Sequence, residues 1–338
     1  MSNQLHSQLW FTQVETALAG LLNDDGPRIV DVGAAGGPSA SCRSIASLSD
    51  YLAFDPDLRS SIDVDSSGFK RTVILNTAIC PDGHNSKELF LTVYPECSSL
   101  LEPNASQVRN YAIGNWFEVV GKTTVPTMSL NHAAAEGGMK SIDWLQLDTQ
   151  GVDLKIIQSL DLSLFSGLLA VEMEPGIAAF YRGESSFTEV CEFMLSSGFW
   201  VAKIGQQRFP RLSTESILNL KLPPSIVEKL PGNPFALEFQ FFRTIDSWLE
   251  SSPDERDAAV YWLIAMANGN YGFALELIDR YSRVCEDWPM RELLLNATIE
   301  TITPKTRHPY LIYSLERFTP PVVVDVLRRL KRKMHSQL

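Results

Sequence analysis

Arg28-Ile-Val-Asp-Val-Gly-Ala-Ala-Gly-Gly-Pro-Ser39 is a short β-branched run that ends in a glycine-rich turn. Such a run, bounded by turn residues, reads as a buried strand opening into a helix. Upstream, Leu9, Val14, Leu18, Leu21 and Leu22 fall at helical spacing, and residues 23–27 break that helix with Asn, Asp, Gly and Pro. Downstream the pattern alternates. It predicts a helix over 40–48, a strand at Tyr51–Asp55, a third strand near 71–80, and strands at 87–93 and 117–126. Asp143–Asp148 reads as a buried strand with Gln150–Leu160 as its helix. Leu168–Met173 is the next strand, 185–197 the next helix, and Phe199–Ile204 and Ala236–Arg243 close the series. Strands alternating with helices predict an α/β fold with a doubly wound, mostly parallel sheet. The last two strands are joined only by the Pro-rich segment 209–234, which points to an antiparallel pairing at the edge.

From about residue 246 the pattern is helix alone, so the chain divides into 1–245 and a C-terminal helical module, 246–338. Ser252-Pro-Asp-Glu255 supplies an N-cap Ser, a Pro at the first helical position and a Glu three residues after the cap. That helix is expected to run to Asn268, followed by helices at Tyr271–Val284 and Pro289–Thr301 and a last one after Pro320-Pro321. No repeat near ~34 residues supports a solenoid. Val260, Trp262, Leu263, Leu277, Ile278 and Leu294 are too many apolar residues for solvated helices. They should cover the sheet or a second subunit, which leaves a homo-oligomer through this module open.

The 338 residues are 45% hydrophobic and 20% charged, a globular composition. The net charge is 29 − 40 = −11, and most of it lies in 1–245, so a phosphate backbone is a poor partner and nucleic acid is disfavoured. Arg328, Arg329, Lys331, Arg332 and Lys333 are the exception. They crowd the end of an apolar stripe (Val322, Val323, Val326, Leu327, Leu330) and suit a helix C-terminus. They allow at most weak, salt-sensitive attachment to an anionic membrane. The five cysteines are scattered without a CxxC pair, no long apolar span is present, and the opening MSNQLHSQLW does not read as a secretory leader. The expected location is the cytoplasm.

Gly33, Gly36 and Gly37 let the backbone approach a ligand closely, and the helix after them points its N-terminus into the same crevice. Asp55 follows Gly33 by 22 residues and ends the second strand. A carboxylate there can accept both hydroxyls of a ribose. Ala35 takes the place of the second glycine of a dinucleotide fingerprint, and no Gly-Lys-Ser/Thr follows, so neither a pyrophosphate nor a triphosphate is expected. A ribose-bearing ligand without phosphates fits, and S-adenosylmethionine is the common one. Either feature alone is ordinary: glycines close many strand–helix turns and aspartates cap many helices.

With Ile142-Asp-Trp-Leu-Gln-Leu-Asp-Thr-Gln-Gly151, Phe54-Asp-Pro-Asp57, Val171-Glu172, Asn76-Thr-Ala78, Ser98-Ser-Leu100 and Gly198-Phe199 in the same order, the chain resembles the FkbM family of S-adenosylmethionine-dependent methyltransferases over about residues 26–205. The resemblance implies the seven-stranded class I methyltransferase sheet with one antiparallel strand. It implies that Asp31, Gly33, Ala34 and Gly36 surround the methionine part of the cofactor, that Asp55 holds the ribose, and that Ala78 and Ile79 lie near the adenine. Three positions depart from the family pattern: Gln146 where Lys is frequent, Gln150 where Glu is frequent, and Asn131 where Asp is usual.

A hydroxyl acceptor must lose its proton, which calls for a base or a metal. The groups expected beyond the strand ends are Asp148, Glu172, Glu174 and His132, with Asp148 first and Glu174 next. Glu172 and Glu174, expected on one strand face, have no evident third metal ligand, so no metal is expected. Ser98 and Ser99, with Tyr94, fall in a loop of the kind that selects substrates, and Trp116, Tyr181 and Arg182 could wall a sugar ring. The resemblance implies O-methylation of a sugar, glycan or natural product. Two alternatives stay open: a non-catalytic scaffold with the same fold, favoured by the missing Lys and Glu, and a nucleic-acid methyltransferase.

Overall fold

The computed structural model describes residues 2–57, 59, 68–83 and 85–303, with side chains from Trp10 onward. The basic stretch 328–333, the helix expected after Pro320-Pro321, and His84, His308 and His335 lie outside the described residues.

Among the described residues ten strands form: β1 Arg28–Val32, β2 Asp50–Phe54, β3 Arg71–Leu75, β4 Ala78–Ile79, β5 Ser86–Thr92, β6 Val119–Met128, β7 Trp144–Leu147, β8 Ala170–Met173, β9 Phe199–Phe209 and β10 Asn233–Arg243. Seven make one sheet in the order β3-β2-β1-β7-β8-β10-β9, and β4, β6 and β5 make a small second sheet. β10 runs antiparallel to both β8 and β9, and the other pairings in the large sheet are parallel.

The helices are α1 Ser2–Leu22, α2 Ala40–Arg43, α3 Ala105–Val108, α4 Leu130–Glu136, α5 Asp153–Gln158, α6 Leu162–Gly167 and α7 Phe187–Ser196. After them come α8 Thr214–Asn219, α9 Pro224–Val227, α10 Ile245–Leu249, α11 Glu255–Ala267, α12 Tyr271–Ser282 and α13 Arg291–Ile302. Strand side chains alternate between two cores, as a pleated sheet covered on both faces requires. Ile29, Ala53, Trp144, Ala170 and Phe242 face α1 and α10 to α13. Val30, Leu52, Leu145, Val171 and Phe241 face α4 to α7.

Every residue of α11 from Ala258 to Met266 is buried, beneath α1 and against the sheet. The helical residues after 246 therefore share one core with the strands. Arg256 ties them in. Its Nη1 and Nη2 donate to both carboxylate oxygens of Asp143, at 2.7 and 2.6 Å, and Nη2 also donates to the Gly26 carbonyl. A bidentate pair of this kind is the strong form of a charged hydrogen bond.

Several expected elements differ. The helix over 40–48 is only α2 followed by a 3₁₀ turn at Ala46–Leu48, because the Ser44 hydroxyl donates back to the Ser41 carbonyl and competes with helix continuation. The strand near 71–80 breaks after Leu75, and Ala78–Ile79 leaves the large sheet to pair with β6. The helix expected from Gln150 begins at Asp153, since Gln150 (φ 56°) and Gly151 (φ 112°) lie outside helical backbone space. α11 is capped by Asp254 rather than Ser252, with Asp257 returning a bond to the cap. The 209–234 connection holds two short helices, and β9 and β10 are longer than expected.

Candidate active site

The carboxyl ends of β1, β2 and β7 converge on one cleft, the place where ligands bind in open α/β sheets. Val32, Gly33, Ala35, Phe54, Asp55 and Asp57 line it from the first two strand ends, and Asp148, Thr149, Gln150 and Val152 from the third. Thr77, Ala78, Ile79, Leu89, Ser98 and Ser99 complete the wall. It encloses about 720 Å³ of empty space open to solvent, within the usual range for small-ligand sites.

Gly33 is dictated by contact. Its φ is 84°, and a Cβ there would sit 1.9 Å from the Asp148 carbonyl oxygen. The Gly33 and Ala34 amides both donate to the Phe54 carbonyl, at 2.9 and 3.0 Å, and the Asp148 amide donates to the Val32 carbonyl. These bonds carry the ladder past the strand ends and bring Gly33, Asp55 and Asp148 to one rim. Asp55 is nearly buried and accepts the Asp57 amide at 2.8 Å. Arg59 donates to Asp57 and, at 2.8 Å, to the Ser98 hydroxyl. This joins the loop after β2 to the loop after β5, and holds Asp57 below the usual carboxylate range despite its burial.

Asp148 is pushed up to about 7, first by burial and then by the charge of Asp153, while a hydrogen bond from the Gln150 side chain opposes the rise. Glu174 lies in a second, adjoining pocket with Asp153, Tyr181, Glu184, Gln207, Phe117, Phe180 and Phe235. Burial, then the charge of Asp148, push Glu174 up to about 9, and Gln207 donates to it at 2.9 Å. Glu184 is pushed up to about 7 by burial although it accepts the Phe180 and Tyr181 amides. Gln150 lines both pockets, and among the described residues no Lys, Arg or His lines either.

The expected site residues separate into groups. Gly33, Asp55, Ala78, Ile79, Ser98, Ser99 and Asp148 line the cleft. Ser98 and Ser99 do so with engaged hydroxyls: Ser99 donates to the Gln150 carbonyl at 2.8 Å, and Ser98 is held by Arg59. Glu174 and Tyr181 line the second pocket. Asp31, Ala34 and Gly36 line neither. Asp31 projects to the opposite face of β1, where the Tyr51 hydroxyl donates to it and burial raises it to about 7. Ala34 is packed into the core beneath α1. Glu172 does not share a site with Glu174; it accepts Trp144, Gln146 and Gln240 side-chain donors at 2.9–3.1 Å. The wall of Trp116, Tyr181 and Arg182 does not form, because Trp116 stacks on Tyr94 and Arg182 is exposed beside Glu102. His132 is also exposed, on α4. Among the described residues no cluster of three His, Cys, Asp or Glu is arranged to hold a metal.

Asp57, Glu96, Asp153, Glu184 and Gln207 were not singled out as site residues. The one available signal was the Phe54-Asp-Pro-Asp57 stretch, which places Asp57 beside Asp55; Asp153 reaches the site from the start of α5, Glu96 and Glu184 from connecting segments and Gln207 from β9.

A sheet of this order, with β10 reversed and a ligand cleft at the ends of β1 and β2, defines the class I methyltransferase fold. Residues 31–201, half of the chain, match the methyltransferase FkbM domain, and the chain belongs to that family. Among solved structures it is similar to a protein described as an S-adenosylmethionine-dependent methyltransferase from Listeria monocytogenes. The identity is 11%, with 69% of this chain and 97% of that chain covered and a TM-score of 0.30. It is also similar to the methyltransferase domain of the bacterial CtHen1-CN, at 9% identity, 69% and 98% coverage and a TM-score of 0.25. Likenesses this distant leave the assignment resting on the family match. No curated protein is similar enough to match the chain.

Proposed function

We propose that this methyltransferase binds S-adenosylmethionine in the cleft at the ends of β1, β2 and β7 and methylates a hydroxyl of a sugar, glycan or natural product held in the second pocket. The observation that carries the reading is the convergence of Gly33, Asp55 and Asp148 on one rim. The residues fit such a cofactor. Asp55 can take a ribose, Ala78, Ile79 and Leu89 offer an apolar wall, and a lining that among the described residues holds acids and no Lys, Arg or His suits a sulfonium and disfavours a phosphate.

When bound, S-adenosylmethionine supplies an electrophilic methyl group. Gly33 leaves room for close backbone approach, and Asp55 orients the ribose. Asp148 takes the acceptor hydroxyl proton onto its carboxylate, so that the oxygen's electron pair is free to form the new bond. A group pushed up to about 7 is suited to this, because near neutral pH it is part ionised yet basic enough to hold the proton. Glu174, raised to about 9, is protonated at that pH and so acts as a hydrogen-bond donor toward the acceptor rather than as a base. The second pocket's Phe117, Phe180 and Phe235 give an apolar wall opposite these polar groups, which suits a ring with hydroxyls on one edge. Nucleic acid is a poor acceptor for so acidic a chain, and no metal enters this scheme.

The test is transfer of labelled methyl from S-adenosylmethionine to a panel of sugars, glycans and polyketide alcohols, with RNA as a contrast. Labelling of hydroxyl acceptors that Asp148→Asn loses supports the reading. Labelling of RNA alone, or of amines alone, refutes it.

A further inference from the structure

We propose that Gln150 is a positioning residue: its side-chain amide bridges the Tyr181 hydroxyl in the second pocket to the Asp148 carboxylate in the cofactor cleft, and holds that carboxylate ready to accept a proton. The inference rests on the reading of Asp148 as the base.

Three observations meet at this residue. Gln150 is a non-glycine residue in left-handed backbone, with φ at 56°, a conformation that L side chains rarely hold without compensation. Its surroundings supply the compensation. The Ser99 hydroxyl donates to its carbonyl at 2.8 Å, and the next residue, Gly151, is packed so closely that a Cβ would lie 2.9 Å from Glu184 Cβ. The second observation is the amide's orientation. An ionised carboxylate only accepts, so Nε2 must face Asp148, and Nε2 does donate to Asp148 Oδ1. Oε1 then faces the Tyr181 hydroxyl at 2.8 Å, and that hydroxyl's single proton is shared with the Cys97 carbonyl, also at 2.8 Å. The third is position: among the described residues, Gln150 is the one that the two pockets have in common.

The electrical setting gives the bridge its purpose. Asp55 lies near Asp148 at the end of β2, Asp31 acts on it through the sheet from the other face of β1, Asp153 acts from α5, Glu174 from beyond β8, and Cys97 and Tyr181 lie nearby in the loops. Cys97, Tyr181 and Glu174 are themselves raised and stay neutral near pH 7, while burial, then the charges of Asp153, Asp31 and Asp55, disfavour a charge on Asp148. The Gln150 amide N–H opposes them, because it stabilises the ionised form. A glutamate here, the residue frequent in the resemblance, would add one more acid. Tyr181 keeps the amide from turning over, so whatever occupies the second pocket beside Tyr181 is coupled to the proton affinity of Asp148.

The experiment is a carbon-13 carboxyl NMR titration of the full chain labelled at aspartate Cγ, with no ligand added. The signal missing from Asp148→Asn identifies the residue. Gln150→Asn and Gln150→Gly both tolerate left-handed backbone and are too short to span the bridge, and circular dichroism checks their fold. The expected result is a wild-type midpoint near neutral pH that rises by about one pH unit in both variants and further in Gln150→Glu. Tyr181→Phe should raise it less, and should add nothing in the Gln150→Gly background. An Asp148 midpoint unmoved in folded Gln150→Asn and Gln150→Gly overturns the coupling. A midpoint that moves, together with full turnover in Asp148→Asn, removes Asp148 as the base and leaves the coupling intact.

Discussion

Asp148 shows how much a single residue carries. Its substitution by Asn keeps the shape and the Gln150 contact but removes the proton acceptor, so turnover should fall ~10²-fold or more while S-adenosylmethionine affinity is retained. Single-turnover kinetics alongside calorimetric titration check both halves. Gly33 is constrained twice, by its φ of 84° and by the Asp148 carbonyl 1.9 Å from where a Cβ would stand. Gly33→Ala should therefore cost at least ~1 kcal/mol from the backbone alone. It should also push the Asp148 loop out of register, lowering both the urea midpoint and cofactor affinity. The meeting of Gly33, Asp55 and Asp148 at the strand ends was legible in sequence, because spacing after a strand is a local property. The turn of Asp31 to the opposite face was not. Its carboxylate is taken by Tyr51, a partner 20 residues away that only strand pairing brings near. Nor was the left-handed backbone of Gln150 legible, since glutamine carries no signal for it.

At the scale of elements, short apolar runs bounded by turn residues made the large sheet readable, because strands covered on both faces bury nearly every side chain. Short helices and loop strands were not readable. α8 and α9 span six and four residues, too short to show a period, and β4 is placed by pairing with β6, a partner far along the chain. α11 was expected as a helix, but its burial on all sides erases the amphipathic stripe that would have told which face packs. Its Trp262 is fully buried, edge-on to Trp10 at 5.5 Å, with Nε1 donating to the Thr298 hydroxyl at 2.9 Å. Trp262→Ala should cost ~3–5 kcal/mol, read as a lower urea midpoint, with cofactor affinity little changed in the folded fraction. Arg256→Ala leaves Asp143, whose side chain is only 3% exposed, with the Arg28 amide at 2.7 Å and the Arg28 guanidinium at 4.0 Å, and should cost ~1.5–3 kcal/mol for the lost charged hydrogen bonds. An undiminished urea midpoint in both variants would mean that α11 contributes little to the shared core.

For the whole molecule, a site built from buried acids makes stability depend on pH. Asp31, Asp148 and Glu184 are raised to about 7, Asp153 to about 6 and Glu174 to about 9, each with burial as the first cause. Unfolded, these groups titrate near ~4. Between those limits the folded chain binds more protons, so their contribution is fully present below pH ~4 and is lost as pH rises through 6 to 9. Asp57 and Glu189 are held below their ordinary values, so their contribution is lost only on acidification and leaves that window alone. The ligand-free protein should melt at a higher temperature at pH 6 than at pH 9, and Glu174→Gln should narrow the gap; a melting temperature flat across this range would show that the acids are not buried as described. The same placement of acids around the cleft underlies the central claim, that the cleft binds S-adenosylmethionine. Calorimetric titration of wild type and Asp55→Ala with S-adenosylmethionine tests it most directly. The account predicts one site per chain. In Asp55→Ala, two charged hydrogen bonds worth ~1.5–3 kcal/mol each are lost, so affinity should fall at least ~10-fold. No binding to the wild type, or equal affinity in the two proteins, would contradict it.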